Sequence, residues 1–423
     1  METEIYLDTA RLGRMRPSAQ AACQDFARLC GEEGGSSNVE TFLRNGHEAW
    51  PRSLQDRYPG LSAWTGANGF KQAFRDLVRL PAETNVWFAQ RSKPLMKLAA
   101  RALCRRCERI LHTDLEWPPY LGILRAEARC LGREVIEAPT RTAIFAGGVS
   151  TEELVHQLAK LYRQSRAQGL FISDVSFEGV RQPVRQLLKI LTSGDRPKFV
   201  AIDAAQGLGH VPPDYDSADL ILAGCHKWLE AGLPLCAALA SRKRSQSFLI
   251  ALAAEMIADN ALDDPILNFV KRLESGRDEG AESGVAETIN LISLFTASAS
   301  VAQQLEHISP GEQSGKFVYG TNLGVELNLR LAESDRLAAL AASVGWIPLH
   351  PHSEQRSGIL LLKPKANPKF DYFQNPFYLR NGFQKHGVAL TVLPRNVLRV
   401  SIQTAPSSSK VLERLSDAMA ANA

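Results

Sequence analysis

An acidic side chain and an amine follow two consecutive apolar runs in the middle of the chain. Asp203 ends the run at 199–202, and Lys227 comes shortly after the run at 220–223. Neighbouring strands lie about 5 Å apart, so both side chains can reach one ligand if the two runs are adjacent strands. A lysine amine forms an imine with an aldehyde, and a carboxylate favours the protonated state of a ring nitrogen. Both groups are what a pyridoxal phosphate (PLP) site requires.

Two other motifs are incomplete. Gly207-Leu208-Gly209 resembles the start of GxGxxG, but the third glycine is missing and Pro212-Pro213 stands where the helix should begin. A dinucleotide turn, and with it a nicotinamide-dependent dehydrogenase, is therefore not expected. Cys104 and Cys107 form a CxxC, but no second pair completes the four ligands of structural zinc. We expect two buried or half-buried thiols on a helix, and no metal site.

The composition is that of a globular protein. The 423 residues are 45% hydrophobic and 22% charged, with a net charge of +4, close to ordinary usage. So small an excess of positive charge does not predict nucleic-acid or membrane binding. No segment has the roughly 18 apolar residues of a membrane span. The first residues do not resemble a signal peptide, and the cysteines form no disulfide pattern. We therefore expect a soluble, cytoplasmic protein.

Short apolar runs alternate with amphipathic segments from residue 86 to residue 223. Buried strands are predicted at 86–88, 109–112, 169–172, 198–202 and 220–223. Helices are predicted at 93–107, 118–131, 151–167 and 180–191. This alternation predicts an α/β fold with a mostly parallel sheet flanked by helices. In such sheets ligands bind beyond the carboxyl ends of the strands.

The pattern changes in the last third of the chain. Helices are predicted at 325–344, 378–386 and 410–420, and strands at 358–362 and 398–402. These elements predict a separate α+β domain. We expect residues 31–290 to form the large domain and residues 291–423 the small C-terminal one. Residues 1–30 are expected to pack near the small domain and the active-site mouth.

Two segments together resemble a known family. Asp203-Ala204-Ala205-Gln206 and Cys225-His226-Lys227-Trp228-Leu229 are similar to the corresponding segments of the class V aminotransferase family of fold-type I PLP enzymes. That family includes cysteine desulfurases, kynureninase and isopenicillin N epimerase. The second segment is most similar to the isopenicillin N epimerase-like branch, which includes C–S lyases. The resemblance implies the PLP-dependent fold type I and PLP as cofactor.

The resemblance implies a role for four residues of these segments. Lys227 would be the Schiff-base lysine, and Asp203 would pair with the pyridinium nitrogen. Gln206 would donate a hydrogen bond to the phenolic oxygen of the cofactor, and His226 would lie near the phosphate or the imine. Lys227, Asp203 and His226 are the predicted catalytic residues.

Further cofactor contacts are implied near other predicted strands. Arg91 and Ser92 open a helix whose free N–H groups suit a phosphate, although Ser92 is equally well explained as an N-cap. Trp117 stands where many relatives carry a histidine stacked on the pyridine ring. An indole can stack there but cannot serve as a proton-transfer base. The alternative for Trp117 is simple core packing.

The remaining implied contacts concern the cofactor, the substrate and a second subunit. Ser176 matches an Asn or Ser that relatives place against the cofactor. Thr288 matches a segment that reaches the neighbouring subunit's phosphate in family dimers, or else caps a helix or faces water. Arg399 matches the arginine that holds the substrate α-carboxylate, although an Arg in an alternating strand is more often solvated. Arg11 lies in an opening segment that lines the active-site mouth in relatives. A homodimer is implied.

The predicted function is that of a PLP enzyme acting at the Cα of an amino acid or a cysteine S-conjugate. C–S β-elimination in a specialised metabolic pathway is favoured because the most similar branch contains such lyases. The alternatives are an aminotransferase, an epimerase, or a decarboxylating or oxidatively deaminating enzyme on an amino-acid-derived natural-product intermediate. A non-catalytic protein retaining the fold is less expected, because Asp203, Gln206 and Lys227 occur together. Cysteine desulfurases carry a nucleophilic cysteine in a loop shortly before the last strand. The corresponding residues 387–398 contain no cysteine, so a persulfide mechanism is not expected.

Overall fold

The computed structural model describes residues 4–191, 195–275, 289–306, 319–365, 376–405 and 407–422, without the side chains of 275 and 319–321. Its strands are, in chain order, β1 (Ile5–Tyr6), β2 (Asn85–Ala89), β3 (Arg109–Thr113), β4 (Glu134–Ala138), β5 (Gly169–Ser173), β6 (Phe199–Asp203), β7 (Leu220–Gly224), β8 (Cys236–Ala240), β9 (Trp346–Leu349), β10 (Ile359–Pro364), β11 (Val388–Ala389), β12 (Thr391–Leu393) and β13 (Val397–Ser401).

The helices lie mostly between these strands. They are α1 (Pro17–Glu32), α2 (Ser37–Asn45), α3 (Arg52–Arg57), α4 (Gly66–Val78), α5 (Ser92–Arg106), α6 (Pro118–Cys130), α7 (Arg141–Phe145), α8 (Thr151–Gln164), α9 (Val184–Ile190), α10 (Lys243–Ala258), α11 (Pro265–Ser275), α12 (Ile292–Glu306), α13 (Tyr319–Ser343), α14 (Pro376–Lys385) and α15 (Ser409–Ala421). None of these described helices is both long and apolar enough to cross a membrane.

Within the described residues, seven strands form the central sheet in the order β2-β8-β7-β6-β5-β3-β4. β8 runs antiparallel to both of its neighbours, and the other neighbouring pairs are parallel. In the register between β5 and β6, Ser173 lies opposite Asp203. The carboxyl ends of β5, β6 and β7 therefore lie together at one edge of the sheet, and the predicted mostly parallel α/β sheet is confirmed.

Successive side chains of a buried strand enter two different cores. In β6, Phe199 and Ala201 pack in a cluster with residues of α5, α6 and α10. Val200 and Ile202 pack in another cluster, with residues of α8, α9 and α12. Because strand side chains alternate between faces, this division shows that helices cover both sides of the sheet. The sheet and these helices are called the large lobe below.

The C-terminal elements form a small lobe around an antiparallel sheet in the order β12-β13-β10-β9. Its core contains Trp346, Phe383 and Leu398, together with Ile5 and Leu7 from the N-terminal segment. β1 joins this lobe by pairing in parallel with β11.

The cores of the two lobes divide the chain differently from the predicted boundaries. Leu294 and Phe295 of α12 belong to the core of the large lobe, which extends to Leu323 of α13. α1 packs against α12 rather than against the small lobe. The large lobe thus continues past residue 290, and the first 30 residues are shared between the two lobes.

The CxxC lies at the end of α5. Cys104 and Cys107 are both buried, and burial raises the pKa of each thiol to about 12. The expectation of two buried thiols is confirmed. Groups of three or more His, Cys, Asp or Glu side chains that could hold a metal ion are absent from the described part of the chain.

Candidate active site

A cavity of about 240 Å³ opens beyond the carboxyl ends of β5, β6 and β7. The segments after β6 and β7 contribute Asp203, Gln206, His226 and Lys227 to its wall. The small lobe contributes Arg399 from β13. The structure therefore brings together the acid and the amine that the sequence placed at two strand ends.

Asp203 is the last residue of β6, and 6% of its surface is exposed. The Ala205 N–H donates a hydrogen bond to Oδ1 at 3.0 Å. Burial raises the pKa of Asp203, whereas the Lys227 charge and the Ala205 hydrogen bond oppose that rise. A carboxylate that is this well shielded from water interacts strongly with any cation placed beside it.

Lys227 lies in the loop between β7 and β8. Burial lowers the pKa of its amine to about 8, partly offset by Asp203 and reinforced by Arg399. About a tenth of such an amine is unprotonated at pH 7. Since only the neutral amine attacks a carbonyl carbon, the site activates Lys227 as a nucleophile.

The N-terminal segment packs directly against the backbone of Lys227. The Gly13 N–H donates to the His226 carbonyl at 2.7 Å. A Cβ atom on Gly13 would stand 2.0 Å from the Lys227 carbonyl oxygen. Only glycine permits this close approach, which fixes the loop that carries the amine.

His226 carries an unused polar atom. Burial, and then the Lys227 charge, lower the pKa of its imidazole to about 4, so the ring is neutral at pH 7. Its Nδ1 is buried and has no hydrogen-bond partner among the described residues. Buried polar atoms are normally paired. An unpaired atom on a residue that lines the cavity therefore fits a site that receives a polar ligand.

The start of α5 also reaches the cavity, through Ser92. Arg91 is the N-cap residue and Ser92 is the first residue of the helix, so the N-cap alternative for Ser92 is wrong. The Arg91 side chain is exposed and does not line the cavity. The free N–H groups of the first helical turn, together with the Ser92 hydroxyl, suit a phosphate group.

The structure separates the other predicted cofactor contacts. Trp117 lines the cavity with 41% of its surface exposed, so the core-packing alternative for it is wrong. Its ring meets Phe177 edge-on at 5.3 Å between centroids. Ser176 is fully buried, and its hydroxyl accepts a hydrogen bond from the Val180 N–H. It does not line the cavity, whereas Ser173 does. Thr288 lies outside the described residues.

Arg399 is buried, with 5% of its surface exposed, so the solvated alternative for it is wrong. Its Nη1 donates to the Phe177 carbonyl at 3.2 Å, and Nη2 lies 3.9 Å from Asp8. Its Nε has no partner among the described residues. Arg11 also lines the cavity, with its side chain half exposed and its Nε 2.5 Å from Asp8. The Asp8 carboxylate therefore forms ion pairs with both Arg11 and Arg399.

A buried carboxyl group that was not predicted from the sequence lies behind this wall. Glu116 is 1% exposed and accepts hydrogen bonds from Thr113 at 2.8 Å and from Gln182 at 2.9 Å. Ser173, which lines the cavity, donates to its other oxygen. Burial raises the pKa of Glu116 to about 7. The only local signal was its position just after a buried strand.

We expect Glu116→Gln to change the pH dependence of stability. Below its ordinary pKa of 4.5 Glu116 is protonated in both the folded and unfolded states. Between pH 4.5 and about 7 the unfolded state has lost this proton while the buried group keeps it, so the wild type loses stability as the pH rises through this range. The variant keeps a neutral side chain and avoids a loss on the order of 1–3 kcal/mol at pH 8.

Thermal unfolding of Glu116→Gln and wild type between pH 5 and pH 8 measures this difference. The exposed Glu354→Gln serves as control and should follow the wild type. An identical pH dependence in all three proteins would show that Glu116 is ionised in the fold.

Comparisons with known proteins bear on the fold. No family model and no curated protein matches the sequence. Among solved structures, a NifS-like protein matches 99% of this chain and 98% of its own, with a TM-score of 0.65 and 14% identity. A cysteine desulfurase from Thermococcus onnurineus NA1 aligns over 99% of this chain and 94% of its own length, with a TM-score of 0.65 and 14% sequence identity. The cystine C–S lyase C-DES aligns over 99% of this chain and 97% of its own length, with a TM-score of 0.65 and 12% sequence identity. The chain therefore has the PLP-dependent fold-type I architecture predicted from its sequence.

Proposed function

We propose that the protein is a PLP-dependent enzyme acting at the Cα of an amino acid or a cysteine S-conjugate. The observation that carries this proposal is the presence of Lys227 and Asp203 on one cavity, with the lysine pKa lowered to about 8. When bound, PLP supplies an aldehyde that links to amines and a ring that accepts electrons from Cα. A C-DES variant of similar fold, with a TM-score of 0.65, has glycine covalently linked to its PLP cofactor.

Each residue of the cavity has a task in this proposal. Lys227 anchors the cofactor and, once released by the substrate amine, moves the Cα proton. Asp203 pairs with the ring nitrogen and favours its protonated state. Ser92 and the start of α5 hold the phosphate. His226 offers its unpaired Nδ1 to the bound cofactor, and the exposed indole of Trp117 offers a surface for ring stacking.

C–S β-elimination is the reaction that we favour. The similar fold of the cystine C–S lyase C-DES supports it, although aminotransferases such as ureidoglycine-glyoxylate aminotransferase share the fold with a TM-score of 0.63. Among the described lining residues Cys236 is the one cysteine, and burial raises its pKa to about 12. A thiol that stays protonated is a poor nucleophile. Sulfur transfer through a cysteine persulfide is therefore disfavoured in this cavity.

The test of this proposal is to load the purified protein with PLP and incubate it with a panel of amino acids and cysteine S-conjugates. Release of pyruvate with a thiol supports the lyase, and accumulation of the pyridoxamine form supports an aminotransferase. A protein that gains no visible absorbance from PLP would contradict the proposal and favour a non-catalytic role.

We further propose that the protein acts as a homodimer, as the resemblance to the class V family implies. Light scattering of the PLP-loaded protein measures its mass in solution. A monomer at full cofactor occupancy would contradict the proposed dimer.

We expect Arg399→Gln to raise the KM for an amino-acid substrate by about 10- to 100-fold, with a smaller change in kcat. A guanidinium binds a carboxylate through charge-assisted hydrogen bonds, which contribute about 1.5–3 kcal/mol. Steady-state kinetics on any substrate found in the panel measures this change. Arg336→Gln, at a 46% exposed arginine of α13, is the matched control. A KM equal to that of the wild type would remove Arg399 from the substrate site.

A further inference from the structure

The indole of Trp228 lies directly behind Gln206 in the cavity wall. Trp228 is 4% exposed and follows Lys227 in the chain. Its Nε1 donates a hydrogen bond to Gln206 Oε1 at 2.8 Å. The other end of the amide, Gln206 Nε2, donates to the Ala10 carbonyl at 2.8 Å. Both ends of the amide are therefore held by buried partners.

These two partners determine which end of the amide is which. An indole N–H is a donor only, and a backbone carbonyl is an acceptor only. Rotating the Gln206 amide by half a turn would place N–H against N–H and oxygen against oxygen. The nitrogen of Gln206 must therefore lie on the Ala10 side. Its second N–H remains available, on a residue that lines the cavity.

Trp228 is itself held in place. Its ring stacks on His210 with centroids 3.7 Å apart and planes inclined by 13°. The Gly358 N–H of the small lobe donates to His210 Nε2 at 2.8 Å. The proton of His210 is consequently on Nδ1, which donates to the backbone carbonyl of Gln206 at 2.8 Å. The guanidinium of Arg330 lies 5.6 Å from the indole centroid. The ring that orients Gln206 is thus fixed by contacts from both lobes.

We propose that Trp228 is a positioning residue, whose indole N–H fixes the Gln206 amide so that an N–H group faces the phenolic oxygen of the cofactor. The proposal rests on PLP binding in the cavity. A fixed donor at that position stabilises the ionised oxygen, because hydrogen bonds to charged groups are the stronger ones. Without the indole N–H only the Ala10 carbonyl orders the amide, so the amide leaves this orientation more readily and can present its own oxygen, which repels the ionised one.

Trp228→Phe tests this role, since phenylalanine keeps an aromatic ring against His210 and removes the N–H. We expect the pH midpoint of the visible absorbance change of bound PLP to rise by about one unit. The sign follows because an ionised oxygen without its donor binds a proton more tightly. Trp64→Phe is the matched control, because Trp64 is also buried and donates to the Phe42 carbonyl at 3.1 Å. This control should leave the midpoint unchanged.

A double-mutant cycle separates orientation from a general structural effect. On a Gln206→Leu background, Trp228→Phe should shift the midpoint no further. An equal shift with and without Gln206, or no shift at all, would overturn the proposal. If Trp228→Phe does not fold, Gln206→Leu alone is compared with the wild type, because leucine removes the N–H from the cavity without adding a charge. That variant should raise the midpoint in the same direction, and an unchanged midpoint would also overturn the proposal.

Crystal structures without cofactor test the same contact independently of PLP. In Trp228→Phe the Gln206 side chain should leave its position beside Ala10 or occupy more than one rotamer. An unchanged single position would contradict the role of Trp228. Failure of the wild type to bind PLP would instead contradict the proposed function, and these structures would still decide the role of Trp228.

Discussion

We expect Lys227→Ala to abolish the covalent attachment of PLP and to lower turnover by more than about 10³-fold. The loss is this large because Lys227 both anchors the cofactor and moves the Cα proton. No other described lysine lines the cavity, so none replaces it. In the wild type the rate of attachment rises with pH and levels off above about 8, because burial lowers the pKa of the Lys227 amine to about 8.

Borohydride reduction followed by mass spectrometry measures this attachment. The wild type should carry a stable label on Lys227, and Lys227→Ala should carry none. Lys198→Ala, at an exposed lysine near the opposite end of β6, is the control and should keep its label. A label that persists in Lys227→Ala would place the cofactor on another residue.

We expect Asp203→Asn to retain covalent attachment but to lower turnover by about 10²- to 10³-fold. Asparagine has nearly the same size but no charge, so it does not hold the ring nitrogen protonated. The loss of one fixed charge at a reacting centre has effects of this size. Because the Asp203 carboxylate opposes the lowering of the Lys227 pKa, the variant should also attach PLP with a lower pH midpoint.

Turnover and the pH dependence of attachment are measured on the same protein preparations. Asp174→Asn is the matched control, since Asp174 follows β5, bonds Tyr215 at 2.7 Å and does not line the cavity. It should retain most of the wild-type turnover. If Asp203→Asn turned over as fast as the wild type, the pairing of this carboxylate with the ring nitrogen would be refuted.

The sequence predicts the strands that are buried on both faces. β5, β6 and β7 are continuous apolar runs, and the structure places them where the sequence does. Two strands of the described central sheet were missed. β4 is an edge strand with exposed Glu134 and Glu137. β8, with the sequence CAALA, is rich in alanine, which has low strand propensity. β4 is not a continuous apolar run, and β8 lacks the Val, Ile and Phe residues that mark the predicted runs.

The site residues at the ends of buried strands could be predicted for the same reason. Arg399 shows where local sequence fails. Local sequence alone favoured a solvated side chain, and only the resemblance implied substrate binding. In the structure Asp8, 391 positions earlier in the numbering, approaches it at 3.9 Å. That approach depends on the pairing of β1 with β11. Likewise, the contact between Gln206 and Ala10 joins residues 196 positions apart. Such contacts follow from the assembled fold and leave no periodicity in the sequence.

The most direct test of the central claim is a crystal structure of the PLP-loaded protein. We predict continuous density from Lys227 Nζ to the cofactor and a hydrogen bond between the Asp203 carboxylate and the ring nitrogen. A cofactor joined to a different lysine, or a ring nitrogen that faces away from Asp203, would contradict the account.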